Sequence, residues 1–115
     1  MFEPISVLIT REQIKQYAAA SGDFNPIHTD PEAAKKAGLK DCIVHGMLVM
    51  AMGSSALREW GIQSLKEYDV RFQAMTYPDE LLFVKGEWTD RKAGKGNIMV
   101  ENEAGEIKMK GTFTA

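Results

Sequence analysis

Residues Met47–Glu59 constrain the fold more than any other stretch of this chain. They read as a helix, about 46–60 with its ends, that is apolar around most of its circumference: Met47, Leu48, Val49, Met50, Ala51, Met52, Ala56 and Leu57. A helix of that kind is expected to lie buried in a core. Gly53, Ser54 and Ser55 are small, which suits close packing against a sheet. After Gly61, a good residue to end the helix, the hydrophobic period changes to two: Tyr68, Val70, Phe72 and Ala74 alternate with Asp69, Arg71 and Gln73. Leu81–Trp88, Asn97–Glu101 and Glu106–Thr114 read as further strands, with turns at Pro78-Asp79 and Asn102–Gly105. In the last strand Ile107, Met109, Gly111 and Phe113 share a face. One long helix followed by a strand meander predicts an α+β fold with the helix across an antiparallel sheet.

The N-terminal half is built from shorter pieces. Ile5–Ile9 reads as a strand. Thr10 with Gln13 forms a capping box that opens a helix over residues 11–20, with Ile14, Tyr17 and Ala18 as its apolar stripe. Gly22 stops it. Ser21–Pro31 (SGDFNPIHTDP) is dense in turn formers, and Asn25 before Pro26 must be extended or turned. Asp30-Pro31 then reads as an N-cap followed by proline at the first helical position, opening a short helix through Ala33, Ala34 and Ala37 to Gly38.

With 115 residues the chain is expected to be one domain, 1–115, because domains run roughly 100–150 residues and a chain this size supports one core. Fourteen Lys+Arg against sixteen Asp+Glu give a net charge of −2, so no basic footprint points to nucleic acid. No basic amphipathic stretch points to a membrane surface, and the apolar run Met47–Gly53 is far short of the roughly 18 residues of a spanning helix. MFEPISVLIT lacks the positive n-region and cleavage site of a signal peptide. The single Cys42 has no disulfide or zinc partner, and a cytoplasmic setting fits these features.

The chemistry-bearing residues cluster around two helix starts. Asp23 lies five residues before His28, and the intervening Asn25-Pro26 stiffens the loop. A carboxylate and an imidazole so held can work as an acid–base pair, although the same residues also serve as plain loop caps. His45-Gly46 opens the apolar helix, whose free N–H groups favour negative charge. Gly46 would let a ligand approach its amide as an oxyanion hole, or would only ease packing. Asn25 could orient a water or merely cap the turn. Neither histidine sits in a metal-ligand spacing, so no metal is expected. The methionines read as core or tunnel lining, and Cys42 as a small buried residue.

Taken in order, Ser21–His28 (SGDFNPIH), Asp30-Pro31, Ala33 and Ile43-Val44-His45-Gly46-Met47 strongly resemble the MaoC-like dehydratases, which include the (R)-specific enoyl-CoA hydratases and 3-hydroxyacyl-thioester dehydratases. The resemblance covers nearly the whole chain. Tyr68–Leu82 is similar to the family's strand followed by Pro-Gly-Asp, but Asp79 stands where that pattern has Gly and Glu80 where it has Asp. The turn is therefore the one segment that does not carry over. The resemblance implies a hot-dog fold, a long central helix wrapped by an antiparallel sheet. It places the family's catalytic pair on Asp23 and His28, the oxyanion-hole amide on Gly46, and a supporting hydroxyl on Ser54, with Asn25 and His45 as further supporting residues.

The implied reaction is reversible addition of water to a trans-2-enoyl thioester, giving an (R)-3-hydroxyacyl thioester. It needs no cofactor, since the carrier, CoA or acyl carrier protein, supplies the thioester. The resemblance also implies a homodimer or higher homo-oligomer in which a second copy closes the site. The alternatives are a hot-dog acyl-thioester hydrolase and one subunit of a heterodimeric dehydratase.

Overall fold

The computed structural model describes residues 1–115. Chain order is β1 (Ile5–Leu8), α1 (Arg11–Ser21), a 3-10 turn (Pro26–His28), α2 (Pro31–Lys36), α3 (Gly46–Glu59), β2 (Glu67–Phe72), β3 (Leu81–Asp90), β4 (Lys95–Asn102) and β5 (Ile107–Thr114). The five strands form one antiparallel sheet in the order β1-β3-β4-β5-β2, so β1 and β2 are its edges. No helix is long and apolar enough to cross a membrane.

Local chemistry explains the element ends. Thr10 and Gln13 form the reciprocal capping box at the start of α1, and Gly22, with φ +77°, ends it. Asp30 caps α2 through Glu32 N–H, with Pro31 at the first helical position. At the β2–β3 turn, Asp79 adopts φ +63°. An aspartate, one of the few residues besides glycine that tolerate it, thus takes the left-handed position of this turn.

The core joins Val49, Ala56 and Leu57 of α3 to Leu82, Val84, Ile98, Val100, Met109 and Phe113 of the sheet, with Ile9, Ile14 and Ile62 at its margins. The helix is less enclosed than its composition predicts. Only Val49, Gly53, Ala56 and Leu57 are buried, whereas Met47 is 61% exposed. One sheet covers one side of a helix, and nothing in this chain covers the other. Of the three small residues only Gly53 serves close packing: a Cβ there would overlap the Tyr68 hydroxyl and come within 3.0 Å of the Met109 methyl. Ser54 is half-buried and Ser55 exposed. The Tyr68 hydroxyl donates to Met50 O at 2.8 Å, and burial pushes its pKa up to about 12.

Two strand readings change. The apolar face of β2 is incomplete, since the strand ends at Phe72, whose ring is 49% exposed, and Ala74 falls outside it. In β5 the alternation breaks at Lys108, which is buried beside Met109. The reason is a register shift: Met109 pairs with Val100 but Ile107 with Glu101, so Lys108 is the extra residue of a bulge and turns inward.

Candidate active site

Three overlapping side-chain turns build the 21–28 loop. Asp23 N–H donates to Ser21 Oγ (3.2 Å), Asn25 N–H to Asp23 Oδ1 (3.2 Å) and Ile27 N–H to Asn25 Oδ1 (3.3 Å). Asn25 is therefore a turn cap. The Asn25 bond occupies one carboxylate oxygen of Asp23, and the other, Oδ2, faces His28 Nε2 at 3.8 Å. That separation is too long for a hydrogen bond and short enough for both groups to touch one small molecule. Asp23 is half exposed and His28 nearly buried, so the pair has one open side.

Both histidine tautomers are set by carbonyl partners, which can only accept. His28 Nδ1 donates to Ile43 O at 2.8 Å, leaving Nε2 as the nitrogen that meets Asp23. His45 Nε2 donates to the backbone oxygen of Asp23 at 3.2 Å. The His45 ring is sandwiched between Tyr17 (centroids 4.8 Å, 9°) and His28 (3.7 Å, 20°). Its Nδ1 is buried without a partner. His45 thus holds the Asp23 backbone and the His28 ring in place. One ligand atom each from Asp23, His28 and His45 lies within 4.8 Å of the others, so this trio is also the set that could hold a cation.

Gly46 is the first residue of α3, and no side chain caps this helix start. Its N–H has no intrahelical acceptor and stands at the positive end of the helix, next to the stacked histidines. The Phe72 ring packs on Gly46, where a Cβ would lie 3.3 Å from it. Exposed apolar residues stand next to each polar group in the chain, Phe24 after Asp23 and Met47 after Gly46, and Phe72 over Gly46 and Met75 are exposed as well. Ser54 lies eight residues, about 12 Å, further along α3 from Gly46, and its hydroxyl donates to Ala51 O. It is not brought against Asp23 or His28.

The segment leading into α3 is tied down on several sides. Ile43 N–H donates to Ile27 O (3.1 Å) and Val44 N–H to Thr76 O (2.7 Å). The Arg11 guanidinium forks onto Asp41 at 3.2 and 2.5 Å, and Asp41 Oδ1 also accepts Cys42 N–H at 2.7 Å. The hydrogen bond from Arg11 holds the Asp41 carboxyl below the usual range, and the same bond raises Arg11. Burial pushes the Cys42 thiol up, away from nucleophilic use. A cavity of about 500 Å³ lies elsewhere, among outward-facing strand residues such as Asp69, Arg71, Lys85 and Lys110.

Residues 2–109 match the family model described as "MaoC like domain". The chain belongs to that family. Relatives of this MaoC-like domain include a mitochondrial 3-hydroxyacyl-[acyl-carrier-protein] dehydratase of Arabidopsis thaliana, 53% identical over 45 residues (39% of this chain, 27% of the relative). 3-Hydroxyacyl-thioester dehydratase X of Mycobacterium tuberculosis is 44% identical over 70 residues (60% of this chain, 25% of the relative). The chain therefore spans only about a quarter of the length of each of these two relatives. Among solved structures, the unliganded R-hydratase PhaJ1 of Pseudomonas aeruginosa superposes with a TM-score of 0.84 at 26% identity, covering 96% of this chain and 76% of the other. The single sheet with α3 across it is the hot-dog fold of these neighbours.

Two features of the site left no mark in the sequence. The Tyr17 ring reads only as part of an apolar stripe, yet it stacks on His45. Phe72 reads as a core position of β2, yet it packs on Gly46 at the site.

Proposed function

We propose that this MaoC-like domain is a hydro-lyase that reversibly adds water to a trans-2-enoyl thioester to give an (R)-3-hydroxyacyl thioester. The observation that carries the reading is the unbonded gap between Asp23 Oδ2 and His28 Nε2, beside the uncapped start of α3. With Nδ1 committed to Ile43 O, His28 offers Nε2 to a water that the Asp23 carboxylate holds from the other side. The pair removes a proton as the water oxygen bonds to C3, and returns a proton to C2. The thioester oxygen carries the enolate charge meanwhile. The Gly46 N–H at the positive helix end stabilises it, an effect of about 3–4 kcal/mol in comparable holes. The roles of acid and base belong to the coupled pair.

The exposed apolar side chains Phe24, Met47, Phe72 and Met75 suit an acyl chain, and Ser54 along α3 suits a more distal part of the same substrate. The chemistry requires no cofactor, because the CoA or acyl-carrier-protein thioester supplies the activation. The uncovered side of α3 and the open β2 edge support pairing with a second copy. Following loss of enoyl-thioester absorbance and release of free thiol in one reaction tests the proposal. Absorbance loss without thiol is expected; thiol release at the same rate would instead establish a thioester hydrolase.

A further inference from the structure

Lys108 is the only lysine, arginine, aspartate or glutamate among the buried residues, at 1% exposure. An ammonium has three N–H donors. Here they meet Met75 O at 2.7 Å, Glu80 Oε1 at 3.3 Å and Glu106 Oε1 at 2.5 Å, with Glu80 Oε2 also in ion-pair range at 3.0 Å. Burial by itself would lower the Lys108 pKa, but the two carboxylates more than offset it, and the group stays charged. The backbone of Lys108 grips the same loop, since Gln73 N–H donates to Lys108 O at 2.9 Å. Glu80 adds to the hold by accepting Tyr77 N–H at 3.3 Å. Lys108 and Glu80 together therefore staple residues 73–80 in place.

That loop is one wall of the site. Thr76 O, one residue beyond the Met75 carbonyl, accepts Val44 N–H at 2.7 Å. Val44 is flanked by Ile43, whose oxygen sets the His28 tautomer, and by His45, after which α3 and the Gly46 amide begin. A short series of bonds thus runs from the ammonium through Met75–Thr76 and Ile43–Val44 to the imidazole.

We infer that Lys108 is a positioning residue for His28 and Gly46, its ammonium holding the Met75–Thr76 wall against which the Ile43–Val44 segment is set. This rests on the reading of Asp23 and His28 as the acid–base pair. A neutral side chain of similar volume would fill the space but could not bond the Met75 carbonyl, and would leave Glu80 without its cation.

The test uses Lys108→Met and Glu80→Gln, with steady-state kinetics well below the melting temperature and NMR of isotope-labelled histidine to follow the His28 Nδ1–H proton. For K108M, kcat is expected to fall about 10- to 100-fold with KM within about twofold, the scale of a slightly misplaced catalytic group. The His28 proton is expected to shift or exchange away. E80Q keeps the shape of the cluster and gives the same pattern at a few-fold. A folded K108M with wild-type kcat and an unmoved His28 proton overturns the inference, even if its melting temperature drops. If K108M does not fold, an E80Q protein unchanged in both readouts overturns it equally. The NMR readout stands whether or not the wild type hydrates an enoyl thioester, so failure of the proposed reaction is distinguishable from failure of Lys108 as a positioner.

Discussion

The molecule holds two buried polar clusters, and they are completed to opposite degrees. Around Lys108 every donor has an acceptor: one carbonyl and two carboxylates take the three N–H groups of one ammonium. Around His28 the bonds are deliberately few. Each histidine spends one nitrogen on a backbone oxygen, the Asp23–His28 gap is 3.8 Å, and His45 Nδ1 has no partner. A saturated cluster can only hold its neighbours in position, since a buried charge left unpaired is costly. A cluster with open valences and one solvent-facing side can accept a reactant. The contrast separates scaffold from site better than residue type does.

The strongest way to break this contrast is to remove either member of the open pair. Asp23→Asn and His28→Ala should each lower the hydration rate by about 10²- to 10⁴-fold, the usual worth of general acid–base catalysis. Thermal melting should move by only a few degrees for Asp23→Asn, whose carboxylate is half exposed, and further for His28→Ala, which also removes a buried ring and its bond to Ile43 O. A large melting shift with the rate retained would assign the pair to structure.

Next in size is packing between α3 and the sheet. Gly53→Ala puts a methyl into the Tyr68 hydroxyl and should cost about 1–3 kcal/mol of stability in denaturant unfolding. Adding Tyr68→Phe should recover part of it, because the overlapping oxygen is gone. No recovery would place the clash elsewhere.

His45→Phe sharpens the contrast within the open cluster. The ring stack on Tyr17 and His28 is kept, the bond to Asp23 O is lost, and a buried unpartnered nitrogen is removed. A rate loss of about tenfold is expected with melting unchanged or raised, as one net hydrogen bond is worth about 1 kcal/mol.

The smallest effect belongs to the exposed edge of the saturated cluster. The hydrogen bond from Lys108 holds the Glu106 carboxyl below its ordinary 4.5. The folded state thus binds this proton less readily than the unfolded chain. The pair's contribution is present above pH 4.5 and is lost as pH falls through the lower folded value. Glu106→Gln should flatten that acid limb in melting temperature against pH, by slightly lowering the neutral region and leaving the low-pH end nearly untouched.

Much of the scaffold was legible because its signals are local. The capping box at Thr10, the Asp30-Pro31 helix start and the glycine stops at Gly22 and Gly61 depend on neighbours within a few residues. So was the Asp23–Asn25–His28 loop, whose turns are made by its own side chains. The exposed side of α3 was not, because hydrophobicity records that a residue is to be covered and not by which chain. Lys108 was not, because an inward lysine in an alternating strand results from a bulge set by register with β4, which no spacing within β5 reveals. The Phe72 ring over Gly46 and the Tyr17–His45–His28 stack likewise join segments far apart in sequence.

The central claim is that Asp23 and His28 act on one water as a single unit. A double-mutant cycle tests it most directly: enoyl-thioester hydration rates for the wild type, Asp23→Asn, His28→Ala and the combined variant. Groups that act together give strongly non-additive losses. The account predicts that the double variant is about as slow as the slower single variant. Losses that multiply would contradict it, showing two residues that contribute independently.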